Sequence, residues 1–203
     1  MMRLIRRIGI LAIAVALVFS FSLMRDRQTL KNGLVRLHVV GQSDSEWDQN
    51  VKLSVRDAVL ASLSDALREV TDMEQAKQYI QTHLSQIEEA ANHALRQLGV
   101  DSKVAVSFLK EQFPTRNYET FSLPSGIYQS LRITIGEGKG QNWWCVVFPT
   151  LCMGASAADV EDVAAGAGFP DDLAKTITGV KEYKIRFYLL EALGKLENFF
   201  YRS

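Results

Sequence analysis

Gly136-Glu137-Gly138-Lys139-Gly140-Gln141-Asn142-Trp143-Trp144-Cys145-Val146-Val147-Phe148-Pro149-Thr150-Leu151-Cys152 holds two of the three tryptophans and both cysteines of this 203-residue chain. Just upstream, Leu131-Arg132-Ile133-Thr134-Ile135 alternates apolar and polar residues, the period of a half-buried strand. Beyond the glycines, Trp143 to Phe148 is continuously apolar, rich in aromatic and β-branched residues, and closed by Pro149. The pair reads as a β-hairpin with a long, glycine-permitted turn. Side chains alternate along a strand, so Trp144, Val146 and Phe148 share one face and Trp143, Cys145 and Val147 the other. Both faces are apolar, which predicts a central strand. The two tryptophans read first as core, with Trp143 or Trp144 the alternative candidate for a partner surface.

Upstream of this unit, Leu34 to Val40 reads as a mostly buried strand ending at Gly41. Ser43 with Glu46, or Ser45 with Asp48, fits the box that starts a helix. That helix sets Val51, Val55, Val59, Leu63 and Leu67 four residues apart. Trp47 extends the same apolar stripe, and Asp48 and Lys52 stand at pairing distance outside it. A second helix runs from a Thr71–Glu74 box through Ile80, Ile87, Ala91 and Leu95 to a cap at Gly99. Val104, Val106 and Phe108 alternate as a strand, and Tyr118–Leu123 and Tyr128–Ile135 read as two more. The predicted class is α+β: two amphipathic helices on one face of a mixed or antiparallel sheet of about five strands. This core spans residues 34–152. Residues 153–180 are acidic and rich in alanine and glycine, which predicts a mobile loop. Residues 181–203 read as a short strand running into a terminal helix, with Phe199, Phe200 and Tyr201 packed on the core.

The front of the chain is a targeting element. Arg3, Arg6 and Arg7 precede Ile8–Met24, a run without charge. As a helix that run spans about 25 Å, slightly less than a ~30 Å hydrocarbon core. It suits a signal peptide with Ser20 and Ser22 before the cut, or a retained anchor, with residues 25–33 a polar linker. Either way the arginines stay cytoplasmic and the body is translocated. Without residues 1–24 the chain carries 20 basic against 23 acidic side chains, a balance that argues against a nucleic-acid partner. In an oxidising compartment Cys145 and Cys152 can form a disulfide across the Pro149–Thr150 turn. Two cysteines without a nearby histidine make no zinc site.

Catalytic motifs are missing from the sequence. Gly136–Gly140 lacks the spacing of a phosphate loop and precedes a strand, whereas phosphate cradles precede helices. There is no Gly-x-Ser-x-Gly elbow. His38 reads as a core histidine, and a His38–Cys145 pair is the one enzyme arrangement worth naming, as a cell-envelope hydrolase. No cofactor or metal is implied.

Two separated motifs, in order, resemble the stage II sporulation protein R family of endospore-forming bacteria. The first is Leu34 to Val59, with Arg36-Leu37-His38-Val39, Ser43-Asp44-Ser45, Asp48 to Lys52 and Val55-Arg56-Asp57. The second is Leu131 to Cys152, with Gly136 to Gly140 and Asn142-Trp143-Trp144-Cys145. Gly41-Gln42 and Trp47 depart from the family's usual pattern, and residues 153–180 match only loosely. The resemblance implies a protein made in the forespore and exported into the space between the two sporulation membranes. There it would activate a membrane-embedded aspartyl protease of the mother cell, of the stage II sporulation protein GA type, which processes the precursor of sigma factor E. That is signalling without catalysis, the alternatives being the hydrolase above or a wall- or lipid-binding module. The family brings no contact residues. The candidates are the polar members of the motifs expected at the surface: Arg36, Asp44, Asp48, Lys52, Arg56, Asp57, Glu137, Lys139, Asn142 and Trp143.

Overall fold

A computed structural model describes residues 2–151 and 157–201. The elements run α1 (Met2–Gly33), β1 (Val35–Val40), α2 (Glu46–Arg68), α3 (Met73–Thr82), α4 (Leu84–Gln97), β2 (Val104–Phe113), β3 (Arg116–Asn117) and β4 (Ser122–Leu123). They continue with β5 (Gly126–Ile135), β6 (Asn142–Phe148), α5 (Ala157–Gly166), α6 (Asp171–Ile177) and α7 (Lys184–Tyr201). The α+β class holds. The main sheet has four strands in the order β2-β5-β1-β6, and β3 and β4 form a separate ribbon.

The expected hairpin is split. β1 lies between its two arms, parallel to β5 (Leu37 opposite Leu131) and antiparallel to β6 (Leu37 opposite Cys145). β6 is therefore an edge strand, not a central one. Its two apolar faces arise because layers cover both sides of the sheet. On one side Leu37, Val39, Ile133, Cys145 and Val147 pack under Val55, Val59 and Leu63 of α2 and Ile87 and Leu95 of α4. On the other, Leu34, Phe113, Tyr128 and Val146 meet Leu30 of α1, Val160 and Ala164 of α5, Leu173 and Ile177 of α6, and Leu190 of α7. A register shift between Val35 and Arg36 carries Phe148 to the helical side, away from Trp144 and Val146.

Local chemistry explains the helix ends. Ser45 caps α2 by accepting from the Asp48 amide at 3.1 Å. Asp72, not Thr71, caps α3, accepting from the Gln75 amide at 2.9 Å. The second predicted helix breaks at His83 into α3 and α4. Gly99 closes α4 with φ of 66°, and the Val100 amide reaches back to the Leu95 carbonyl at 3.0 Å.

Several segments differ from expectation: of the strand expected at Tyr118–Leu123, only Ser122 and Leu123 are in strand conformation, as β4. Residues 25–33 are the last turns of α1 instead of a linker, with Leu23, Asp26 and Leu30 buried against the body. Most of 157–177 forms α5 and α6 instead of a loop, because its sparse apolar residues recur at helical spacing and share one buried side. The stretch expected to be a strand at 183–187 enters α7. Phe199 and Phe200 stand out from the body, 68% and 67% exposed, instead of packing on it. α1 is long and apolar enough to cross a membrane.

Candidate functional site

Because β1 separates β5 from β6, the turn between those strands must arch over the end of β1. There it meets the loop that follows β1, so the two motifs singled out in the sequence become one structure. The Gly140 amide donates to the Gly41 carbonyl at 2.8 Å and the Lys139 amide to the Gln42 carbonyl at 3.2 Å. The Asp44 carboxylate accepts from the Gln141 amide at 2.7 Å. From α2, Lys52 Nζ donates to the Gln141 carbonyl at 3.0 Å and also to Gln49, whose amide holds the Ser43 carbonyl at 2.8 Å. The Ser43 hydroxyl donates to Asp48 at 2.5 Å. Asp48 is thus tied to the loop and does not pair with Lys52.

Glycine is required where the loops touch. A Cβ on Gly140 would overlap the Ser43 carbonyl, a backbone atom that cannot swing aside. Gly140→Ala is expected to lower stability by about 2 kcal/mol through overpacking, read as a fall in thermal midpoint. Gly166→Ala, where nothing lies within 4 Å of the added carbon, is the neutral comparison.

These contacts sort the predicted site residues. Asp44, Asp48 and Lys52 fasten the loops together. Lys52 is only 5% exposed, so the expectation that it faces outward is corrected, and burial pulls its ammonium below the ordinary value, with Asp44 opposing. What the fastened loops present is a rim. The Arg56 guanidinium lies over the Trp143 ring at 4.4 Å and pairs with Asp57 at 2.7 Å. Trp143 is 36% exposed, and Glu137 and Lys139 form an exposed ion pair at the tip. A cation over indole holds the ring in a fixed pose and lowers the entropy a partner would have to freeze.

On the opposite side of the sheet lies a polar cluster the sequence did not delimit. Arg36 has no exposure at all, so it too is corrected as a surface residue. Its guanidinium lies over Phe113 at 4.2 Å and donates to the Tyr118 hydroxyl at 2.8 Å. The His38 ring stacks on Trp144 with centroids 3.8 Å apart, and Nε2 stands 2.8 Å from Asn142 Oδ1. His38 Nδ1 donates to Glu111 at 3.0 Å, and the Ser130 hydroxyl donates to the same oxygen at 2.5 Å. Arg132 stands 3.4 Å from the other carboxylate oxygen. Burial pushes the Glu111 carboxyl up, but the His38 and Ser130 hydrogen bonds and nearby positive charge outweigh it. The net position is below the ordinary 4.5.

The cluster joins all four strands of the main sheet: Arg36 and His38 on β1, Glu111 on β2, Ser130 and Arg132 on β5, Asn142 and Trp144 on β6. Its signal was legible only as polar residues alternating with Leu37 and Val39 on an otherwise buried strand. The parallel register that sets Arg36 beside Ser130 and His38 beside Arg132 is not encoded locally. Ser130 is fully buried and donates to a carboxylate instead of an imidazole, which is not a nucleophile–base geometry. The named His38–Cys145 pair is not assembled either. His38 lies on the Trp144 side of the sheet, and Cys145 packs with the opposite, helical side. Among the described residues no group of three or more His, Cys, Asp or Glu side chains could hold a metal ion. Cys145 is buried; Cys152, its expected disulfide partner, lies outside the described residues.

Fold and site define a class: an α+β domain carried on an apolar N-terminal helix, with a fixed rim of two interlocked loops. The stage II sporulation protein R family model matches residues 31–158, more than half of the chain and all of the rim. The chain belongs to that family. It is 30% identical over 180 residues to the stage II sporulation protein R of Bacillus subtilis (strain 168), covering 80% of this chain and 80% of that protein. No solved structure matches.

Proposed function

We propose that the chain is an exported sporulation signal that activates a membrane-embedded aspartyl protease of the mother cell, of the stage II sporulation protein GA type. The protease then processes the precursor of sigma factor E. The observation that carries this reading is the rim. Two family motifs far apart in sequence are locked by backbone hydrogen bonds and present Trp143, Arg56, Asp57, Glu137 and Lys139 outward. A ligand activates an enzyme only through preferential binding to its active state, and a rigid aromatic–cation surface suits such discrimination. The apolar α1 supports export, and a Cys145–Cys152 disulfide, proposed here, would staple β6 to the segment after it in the oxidising space.

Co-expression of this protein with the protease and the factor's precursor tests the proposal. Cleavage should appear with the wild-type chain. Trp143→Ala combined with Lys139→Ala should abolish it while the secreted body keeps its circular dichroism and thermal midpoint. Normal cleavage with that folded variant removes the rim from the mechanism. A lack of cleavage with the wild type removes the activator reading.

A further inference from the structure

Strand β2 forms one edge of the main sheet, with β5 on its inner side. The Lys103 carbonyl accepts from the Gly136 amide at 2.9 Å, on the β5 side. The next backbone group turns the other way, and the Val104 amide donates to Asn92 Oδ1 of α4 at 2.9 Å. Direction alternates along an antiparallel strand, so Ala105, Ser107, Leu109, Glu111 and Phe113 bond β5. Val106, Phe108, Lys110 and Gln112 aim their N–H and C=O groups off the sheet. Among the described residues these outward groups have no hydrogen-bond partner. Asn92 closes the free segment at Val104, and Pro114, which has no N–H, ends it after Phe113. Sheet edges are ordinarily blunted by bulges or prolines. Here the register with β5 runs unbroken from Val104–Ile135 to Phe113–Gly126, and the segment holds no proline.

Such an edge accepts an extended backbone, and the residues along it say which one. A second copy of β2 laid antiparallel must match outward residues with outward residues, which restricts where the pair is centred. Centred on Leu109, Val106 meets Gln112 of the other copy and Phe108 meets Lys110. The four outward residues then pair completely among themselves. Centring on Phe108 calls on the Val104 amide, which Asn92 already holds. Centring on Lys110 opposes two lysines, which repel, and sets Val106 against Pro114. Registers further off pair fewer groups. The Leu109 register opposes no like charges, because Glu111 stands across from Ser107 and its carboxylate is already held by His38 and Ser130.

We propose that two copies of this chain pair antiparallel through β2 about a two-fold axis at Leu109, joining their four-stranded sheets into one of eight strands. The pairing depends neither on retention of α1 in a membrane nor on the identity of the protease. The test uses the full chain in mild detergent. The protein mass from light scattering should be twice that of one chain, and the amides of Val106, Phe108, Lys110 and Gln112 should exchange more slowly as concentration rises. Lys110→Pro removes an outward donor and leaves every bond to β5 in place, so it should halve the mass at unchanged circular dichroism. Leu109 faces its own copy in a non-hydrogen-bonded pair, with Cα atoms about 4.5 Å apart. Leu109→Cys should therefore give a disulfide-linked dimer on mild oxidation. Ala105→Cys, whose two copies stand roughly 27 Å apart along the strands, should not. A wild-type chain that stays monomeric, or a Leu109→Cys chain that fails to link, overturns the proposal. So does a dimer that survives Lys110→Pro, since another surface then holds it. If the proline variant loses its circular dichroism, the two cysteine variants decide alone. Protection of the four amides only when the protease is added would make the edge a docking strand for that protein, and self-pairing fails.

Discussion

Truncating Glu111 to alanine is expected to be the most destabilising single change to the sheet's polar side, costing about 3–5 kcal/mol. The carboxylate is the shared acceptor of His38 and Ser130 and faces Arg132, and both His38 and Glu111 are largely withdrawn from water. Removing it strands a buried hydroxyl and a buried imidazole N–H together, each of which bears its own desolvation penalty. In a chain of this size the thermal midpoint should fall by roughly 10 °C. Glu111→Gln keeps the shape and one acceptor and should fall less. The same carboxylate sets an acid limit. Its folded pKa lies below the ordinary 4.5, so its contribution is fully present above that value and is lost as pH falls through the folded pKa. Thermal melts between pH 6 and 3 should show the wild type losing stability below about pH 4.5 more steeply than Glu111→Gln. Equal slopes for the two proteins would show that Glu111 is not held by these partners.

Gly194→Ala is the second large effect. Gly194 lies where α7 crosses the turn before β5, and an added Cβ would overlap the Ser125 carbonyl. Two backbones cannot both yield there, so α7 must lift from the sheet. That movement would strain the Ser125 hydroxyl bond to the Glu191 carbonyl and the Glu197 contact with the Ile127 amide. The expected cost is about 2–4 kcal/mol, the upper part of the range for forced repacking. Amide exchange should quicken in α7 and in residues 23–33 of α1, which share the Arg186 and Glu197 pairs, before it quickens in α2 or α4. Uniform exchange across all helices would contradict this account of how α7 is seated.

The two predictions fall on the side of the sheet that was least legible in the sequence. The α2–α4 side could be read because Val51, Val55, Val59, Leu63 and Leu67 repeat at one spacing between recognisable caps. The other side is assembled from pieces that are weak singly. Val160, Ala164, Leu173 and Ile177 are diluted by glycine, alanine and acidic residues, and only the groove formed with Leu30 and Leu34 makes them a core. Strand order was misread for a related reason. The apolar run Trp143–Phe148 reports that both its faces are covered, and that does not say whether it has neighbours on both edges. The insertion of β1 between β5 and β6 depends on contacts roughly a hundred residues apart, to which periodicity is blind.

Legibility of the site followed the same division. The motifs were visible, and their convergence at the end of β1 was not. Composition cannot tell a charged residue that fastens from one that is offered outward. Lys52 and Arg36 look like surface groups and are buried, while Trp143, read first as core, stands at the exposed rim with the half-buried Arg56 over its ring. Glu111 and Ser130 carried no signal at all until β2 and β5 were laid beside β1.

The most direct measurement is a binding titration of the folded, translocated body against vesicles containing the protease, with the fraction that co-sediments with the vesicles as the readout. The account predicts saturable binding that depends on the protease, and at least tenfold weaker binding for Trp143→Ala at unchanged stability, the magnitude expected of an interface anchor. Equal affinity for the two proteins, or equal binding to vesicles without the protease, would contradict it.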